Sequence, residues 1–167
     1  MKSAEILKEI SKHVSSSPEL LEALVVASNT ADSGSMCCIA EALQYQSKVG
    51  NRKAMAENNG VINALINLAS IDDNDYDASS SQTREAALGA INGLSSKAAN
   101  RPLLAKNQKL IITLVKAVSR ESESHQSQQL DSNSNLESLN QQESPTASKG
   151  SKWSRTKVTL LGLIEKI

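Results

Sequence analysis

The chain contains an internal repeat, and this limits its possible folds more tightly than its composition does. Placing Asn51-Arg52 over Asn100-Arg101 is a shift of 49 residues, and the match then runs ungapped from Lys48/Lys97 to Ser70/Ser119. It pairs Gly50/Ala99, Ala56/Ala105, Asn58/Asn107, Ile62/Ile111, Leu65/Leu114 and Ile66/Val115. Carried upstream, the same shift sets Ile39 on Leu88, Ala42 on Ile91 and Tyr45 on Leu94. Tandem units of this kind mark a repeat array, where each unit buries its apolar face only against a neighbour.

Within a unit the pattern predicts helices throughout. Met36 to Lys48 reads as a long helix that Gly50 breaks. A short helix from about Arg52 to Glu57 follows, Asn58-Asn59-Gly60 turns a corner, and Val61 to Ser70 forms a medium helix. The order returns from Gln82 to Ser119, with Lys109 in place of the corner glycine. Upstream, Ile6, Leu7, Ile10 and Val14 share one face of a helix over Ser3 to His13. Ser17 then reads as an N-cap with Pro18 at the first helical position. The helix PELLEALVVAS matches GVINALINLAS at an offset of 41, which pairs Leu20 with Val61, Leu21 with Ile62 and Leu24 with Leu65, so the repeat begins before the first clear unit.

The connecting stretches differ in character. Asn29 to Ser35 reads as a turn, and Ile71 to Ser81 as a polar surface loop with four aspartates. From Arg120 to Lys152 Ser, Gln, Asn and Glu dominate, with Leu130, Leu136 and Leu139 the only large apolar residues. Such a segment buries too little to offset its ordering entropy and is predicted to be disordered. Near the end, TKVTLLGLIEKI matches TREAALGAINGL, which lies 73 residues earlier. The predicted organisation is therefore repeats over 1–119, with a partial unit at 3–28 and units at about 36–70 and 82–119. A linker follows over 120–152. Residues 153–167 form a partial third repeat or a capping helix, with Trp153 covering the last apolar edge.

Composition narrows the function. The 18 basic residues balance the 18 acidic ones, so bulk charge favours neither a polyanion nor an anionic membrane as partner. Aromatics make up 2% and Phe is absent, which suits a core of tightly stacked aliphatic helices. Lys97, Arg101, Lys106, Lys109, Lys116 and Arg120 gather on the second unit, but no aromatics interleave to stack nucleic-acid bases, and a solvated surface is the plainer reading. Cys37 and Cys38 are adjacent and have no spaced partner, which excludes a disulfide scaffold and fits small core residues in a reducing compartment. Neither a signal peptide nor a run of about 18 apolar residues is present, which points to an intracellular protein of the cytoplasm or nucleus with no membrane partner. His13 and His125 lack ligating or catalytic company, and no phosphate-binding or nucleophile motif occurs. No enzyme, cofactor, metal or small-molecule substrate is expected.

The run A-A-L-x-A-I-x-G-L-S, followed by A-N-R-P-L-L-A-K-N and L-I-x-x-L-V-K-A-V, resembles the armadillo repeat. The earlier G-N-R-K-A-M-A-E-N-N-G-V-I-N-A-L-I-N-L-A is similar to the family's second half. The resemblance implies an all-α armadillo-type α-solenoid, a right-handed superhelix of three-helix units. In that fold the long third helices line a concave groove that takes an extended peptide or a partner helix. The Trp/Asn ladder of the nuclear-import adaptors is missing. Its slots fall on Ala40 and Gln44, Gly89 and Gly93, and Gly162 and Lys166.

By the 49-residue alignment the groove would be lined by Met36, Ala40, Leu43, Gln44 and Ser47 in one unit. The next unit would contribute Glu85, Gly89, Asn92, Gly93 and Ser96. Small residues there would let a partner backbone approach, although they also suit close helix stacking. Gln44 and Asn92 are the stronger candidates, since an amide can pair with a partner backbone. The expected function is non-catalytic protein–protein binding or scaffolding. The alternatives are an armadillo-type regulator of a chaperone or small GTPase, and a structural piece of a larger scaffold.

Overall fold

A computed structural model describes residues 2–13, 17–71 and 78–133. These residues form helices and contain no strand. In chain order they are α1 (Lys2–His13), α2 (Pro18–Thr30), α3 (Ser33–Lys48), α4 (Arg52–Glu57), α5 (Asn59–Ala69) and α6 (Ala78–Ser95), then a 3-10 turn (Ala98–Asn100), α7 (Arg101–Ala105) and α8 (Gln108–Asn133).

Local chemistry sets most of these boundaries. The Ser17 Oγ accepts from the Leu20 amide at 3.3 Å, so α2 starts at Pro18 as expected. Asn58 Oδ1 accepts from the amides of Gly60 and Val61, and its counterpart Asn107 Oδ1 accepts from Leu110. The same amide therefore starts the medium helix in both units. Gly60 sits close to its neighbours: a Cβ there would lie 3.1 Å from Asn58 Oδ1 and 3.3 Å from Val25 of α2, tight enough that one of them would have to shift slightly. Gly50, by contrast, takes φ +107° and ends α3 in a left-handed turn.

Several boundaries differ from the sequence reading: α5 begins at Asn59 rather than Val61, and α6 takes in Ala78 to Ser81 of the predicted loop. α3 begins at Ser33 rather than Met36, because Asp32 Oδ1 accepts from the Ser35 amide at 2.8 Å and caps the helix earlier. α8 continues to Asn133 although a linker was predicted from residue 120. Residues 120–133 hold no Gly or Pro to stop a helix, and their Glu, Gln and Arg are good helix formers. The rest of that linker, 134–152, lies outside the described residues, as do the element predicted over 153–167 and residues 72–77 of the aspartate loop.

The helices pack in two rows. α3 lies between α1 and α6, and its contact with α6 is the most extensive in the molecule. α5 lies between α2 and α8 and packs across the rows against α6. Leu24, Ile39, Leu43, Met55, Leu65, Leu68, Ile91, Leu94, Leu104, Leu110 and Leu114 fill the space between the rows, all fully buried. The expected apolar face of α1 is buried only in part: Leu7 packs against the core, and Val14 lies outside the described residues. Ala4 and Ser11 are buried while Ile6 and Ile10 remain 57% and 42% exposed, because α1 ends its row and meets α3 along one flank only.

The long helices match with a shift of 48 residues, not 49. That shift places Ser35 on Thr83, Ile39 on Ala87, Ala42 on Ala90, Leu43 on Ile91 and Ser47 on Ser95, and each of these residues is buried. Hydrogen bonds agree: Arg52 Nε donates to the Ser47 carbonyl at 2.8 Å, and Arg101 Nε to the Ser95 carbonyl at 3.1 Å. The extra residue of the second unit lies between Ser95 and Asn100, where the 3-10 turn replaces the tight Gly50 connection. Downstream of the arginines the 49-residue shift holds.

Buried polar groups tie each unit to its predecessor. Asn100 Nδ2 donates to the Leu94 carbonyl at 3.1 Å and to the Arg52 carbonyl of the unit before at 2.9 Å. Asn51 does this through a relay: its Nδ2 donates to Gln46 Oε1, and Gln46 Nε2 donates to the Ser11 carbonyl of α1 at 2.6 Å. Asn100→Ala would remove two hydrogen bonds, the one to Leu94 fully buried, and is expected to cost about 1–3 kcal/mol, measured by urea unfolding.

The α3–α6 contact makes a second prediction. A Cβ at Gly89 would overlap only the Gln44 Nε2, the mobile end of a long side chain. One at Gly93 would overlap Ser47 Oγ and lie 3.1 Å from the fixed Ser47 Cβ. Gly89→Ala is thus expected to stabilise by up to about 1 kcal/mol through helix propensity. Gly93→Leu is expected to destabilise by about 1–3 kcal/mol through overpacking. Calorimetric melting of the two variants separates these outcomes.

Candidate protein-binding face

A helix that packs along one flank leaves the opposite face to solvent, and its residues recur every three or four positions. On α6 that face carries Glu85, Gly89, Asn92 and Ser96 (the residue just past the helix), all exposed or half-buried. The 48-residue shift gives the corresponding line on α3 as Cys37, Glu41, Gln44 and Lys48, also exposed or half-buried. Gln44 and Asn92 therefore stand at equivalent positions on neighbouring long helices, each presenting an amide.

Side chains bridge the row. Lys8 Nζ of α1 pairs with Glu41 Oε2 of α3 at 2.5 Å. Tyr45 Oη donates to the Lys12 carbonyl at 3.1 Å. Toward α6, the Cys37 Sγ donates weakly to Gln82 Oε1 at 3.8 Å. The hydrogen bond with Glu41 holds the Lys8 pKa above the ordinary lysine value, against a small opposing effect of burial. Burial pushes the Cys37 thiol upward, and the nearby Glu41 charge adds to that. Both effects oppose formation of the thiolate there.

The expected groove residues divide between this face and the helix interface. Glu85, Gly89, Asn92 and Ser96 lie on the outer face of α6, and Gln44 lies on that of α3. Ala40, Leu43 and Ser47 do not line any open groove: all three are fully buried. Met36 is half-buried and packs against the core, and Gly93 faces Ser47 across the α3–α6 contact. The cause is the one-residue difference in register, since Met36, Ala40, Leu43 and Ser47 were paired with Glu85, Gly89, Asn92 and Ser96 through the 49-residue shift. The residues missed on α3 are Cys37, Glu41 and Lys48. The doubled serine in Leu94-Ser95-Ser96-Lys97, against Gln46-Ser47-Lys48, is the sequence signal that marks the insertion. Cys37 correspondingly aligns with exposed Glu85 rather than with a core alanine, and both cysteines are half-buried and free.

The face offers amides, hydroxyls and charges at regular spacing. Among the described residues no three His, Cys, Asp or Glu side chains converge as metal ligands. No helix among them is long and apolar enough to cross a membrane. No protein-family model, curated protein or solved structure matches the chain.

The Lys8–Glu41 pair predicts a pH dependence with a definite sign. A lysine whose pKa rises on folding adds stability that is complete below its unfolded value and lost as pH climbs through the folded one. The loss should therefore begin above the ordinary lysine value of 10.5. Because Lys8 and Glu41 are only half-buried and solvent screens the pair, the effect should be small. Thermal melts from pH 9 to 12 (about the range that brackets lysine titration) should show a shallower decline for Lys8→Met than for the wild type.

Proposed function

We propose that this chain is a non-catalytic protein–protein interaction module with an armadillo-type solenoid arrangement, acting inside the cell. Its working surface is the outer face of the row α1–α3–α6, where it takes an extended peptide or a partner helix. The observation that carries this reading is the pair of equivalent amides, Gln44 and Asn92, on neighbouring long helices. An amide donates and accepts at once, so a ladder of them can follow a partner's backbone regardless of its sequence. Half-buried positions hold such side chains partly ordered before a partner arrives, which lowers the entropy cost of binding.

The surroundings suit this role. Glu41 and Lys48 beside Gln44, and Glu85 beside Asn92, provide charges of both signs that can select among partners. Gly89, lacking a side chain, leaves room for the Gln44 amide to rest against α6 at the edge of this face. Two parallel rows with short turning helices, and units tied by buried asparagines, support the solenoid reading. Free cysteines support a reducing compartment.

The test compares wild type with a Gln44→Arg, Asn92→Arg double variant. Each is immobilised, exposed to cell extract, and its captured proteins are identified by mass spectrometry. A photo-crosslinking residue at Ser96 marks which of them touch the face. The expected result is a crosslinked partner whose recovery falls about tenfold or more in the double variant, with the melting temperature unchanged. Equal capture by both proteins, with crosslinks absent, would remove the face from consideration.

A further inference from the structure

A second surface lies away from the long helices, where the corner between α4 and α5 meets the corner between α7 and α8. It is a groove whose floor is Ala56, Ile62 and Leu104, all buried, with Leu103 standing 39% exposed beside them. Its rim holds Asn59, Asn63 and Gln108, together with Lys106 and Lys109. No carboxylate lines it.

The charges here are not balanced by the fold. Lys106 and Lys109 are exposed and make no ion pair among the described residues, whereas Lys8, Lys12 and Lys53 each do. Lys109 sits in the first turn of α8, which has no acidic residue, and there the helix dipole disfavours a cation. An anion resting between the two lysines would relieve both conditions. Asn59, Asn63 and Gln108 make no side-chain hydrogen bond among the described residues, so their donors and acceptors face solvent.

We propose that this groove binds a short acidic peptide segment of another protein, with carboxylates on Lys106 and Lys109 and an apolar side chain against Leu103. The chemistry favours a peptide over other anions. Free amides match a peptide backbone, which donates as well as accepts, while a phosphate group only accepts. The apolar floor matches a side chain, and no aromatic residue lines the groove to stack a base. The proposal does not depend on the long-helix face, because none of its residues belongs to that face.

The experiment uses the full chain and a fluorescein-labelled peptide of alternating Glu and Asp with a central Leu, followed by anisotropy. Lys106→Glu with Lys109→Glu should weaken binding about tenfold or more, since two close charge pairs turn repulsive. Lys97→Glu with Lys116→Glu changes net charge equally at exposed sites outside the groove and should weaken it about twofold or less. Replacing the peptide's Leu by Ser, or Leu103 by Ser, should each cost roughly threefold or more, as for a partly buried apolar contact. Circular dichroism confirms that the variants fold, and the peptide substitution needs no protein variant at all. Equal losses from both lysine pairs, equal binding of a Gln-for-acid peptide, or displacement by a poly-dT oligonucleotide at lower concentration than unlabelled peptide would each overturn the proposal.

Discussion

α3 and α6 can lie close together because the residues between them are small, and the two-row arrangement depends on that contact. Gly93 of α6 faces Ser47 of α3 across this contact, and Ala40 and Ala42 on one helix and Ala86, Ala87, Ala90 and Ser95 on the other are all buried. Close approach brings many weak dispersion contacts into range, and it compensates for a core without Phe. The hydroxyls buried there carry little penalty, because each donates within its own helix. Ser47 Oγ donates to the Gln44 carbonyl at 2.7 Å, Ser95 Oγ to Asn92 at 2.9 Å, and Thr83 Oγ1 to Ser79 at 2.7 Å. Serine therefore serves as a residue hardly larger than alanine whose polar atom is already satisfied.

Those serines also close the ends of the row. The carbonyls of Ser11, Ser47 and Ser95 lie in the last turns of α1, α3 and α6, where no intrahelical amide remains to reach them. Gln46, Arg52 and Arg101 fill the vacancy in turn. Because Arg52 and Arg101 start the short helices, the end of each long helix fixes the start of the next element. Their recurrence is structural for that reason. Asn100 then reaches back to the Arg52 carbonyl, so the geometry of one junction is passed to the next. Buried amides are costly unless paired. Of the two asparagines, only Asn51 keeps a buried oxygen without a partner.

Much of this was legible in the residues. The Ser17 cap, the corner at Asn58, the α4 boundaries and the apolar positions of α2 and α5 follow from local rules and reappear in the structure. The ungapped alignment was the source of error. Pinning Lys48 on Lys97 kept apolar residues on apolar ones, yet it rotated α3 by one residue relative to α6, or about 100° around the helix axis. Such a rotation exchanges an outer position for an interface one, and it separates the expected groove positions of Ala40, Leu43 and Ser47 from their buried ones. Alanine-rich helices hide this error, since alanine suits either place. Gly50 against Ala98-Ala99 was the clue: a left-handed turn and a 3-10 turn span the junction with different numbers of residues.

The medium helices show how far a unit depends on its successor. Ile62 and Ile66 on α5 are 3% and 8% exposed because α6 and α8 pack over them. Their counterparts on α8 are Ile111, which is half-buried, and Val115, which is 46% exposed to solvent. The sequence pattern is the same in both helices, so the difference comes from the neighbouring helices rather than from the helix itself. Apolar area is stabilising only when removed from water, at about 25 cal/mol per Å². The apolar stripe on a medium helix is therefore a demand for a further layer, met for α5 by α6 and α8. The groove between the α4–α5 and α7–α8 corners arises from the same stacking. Two successive corners are held side by side by their helices, and each contributes its own polar amides to the rim. The groove thus exists only where the two corners adjoin, and neither corner forms it alone.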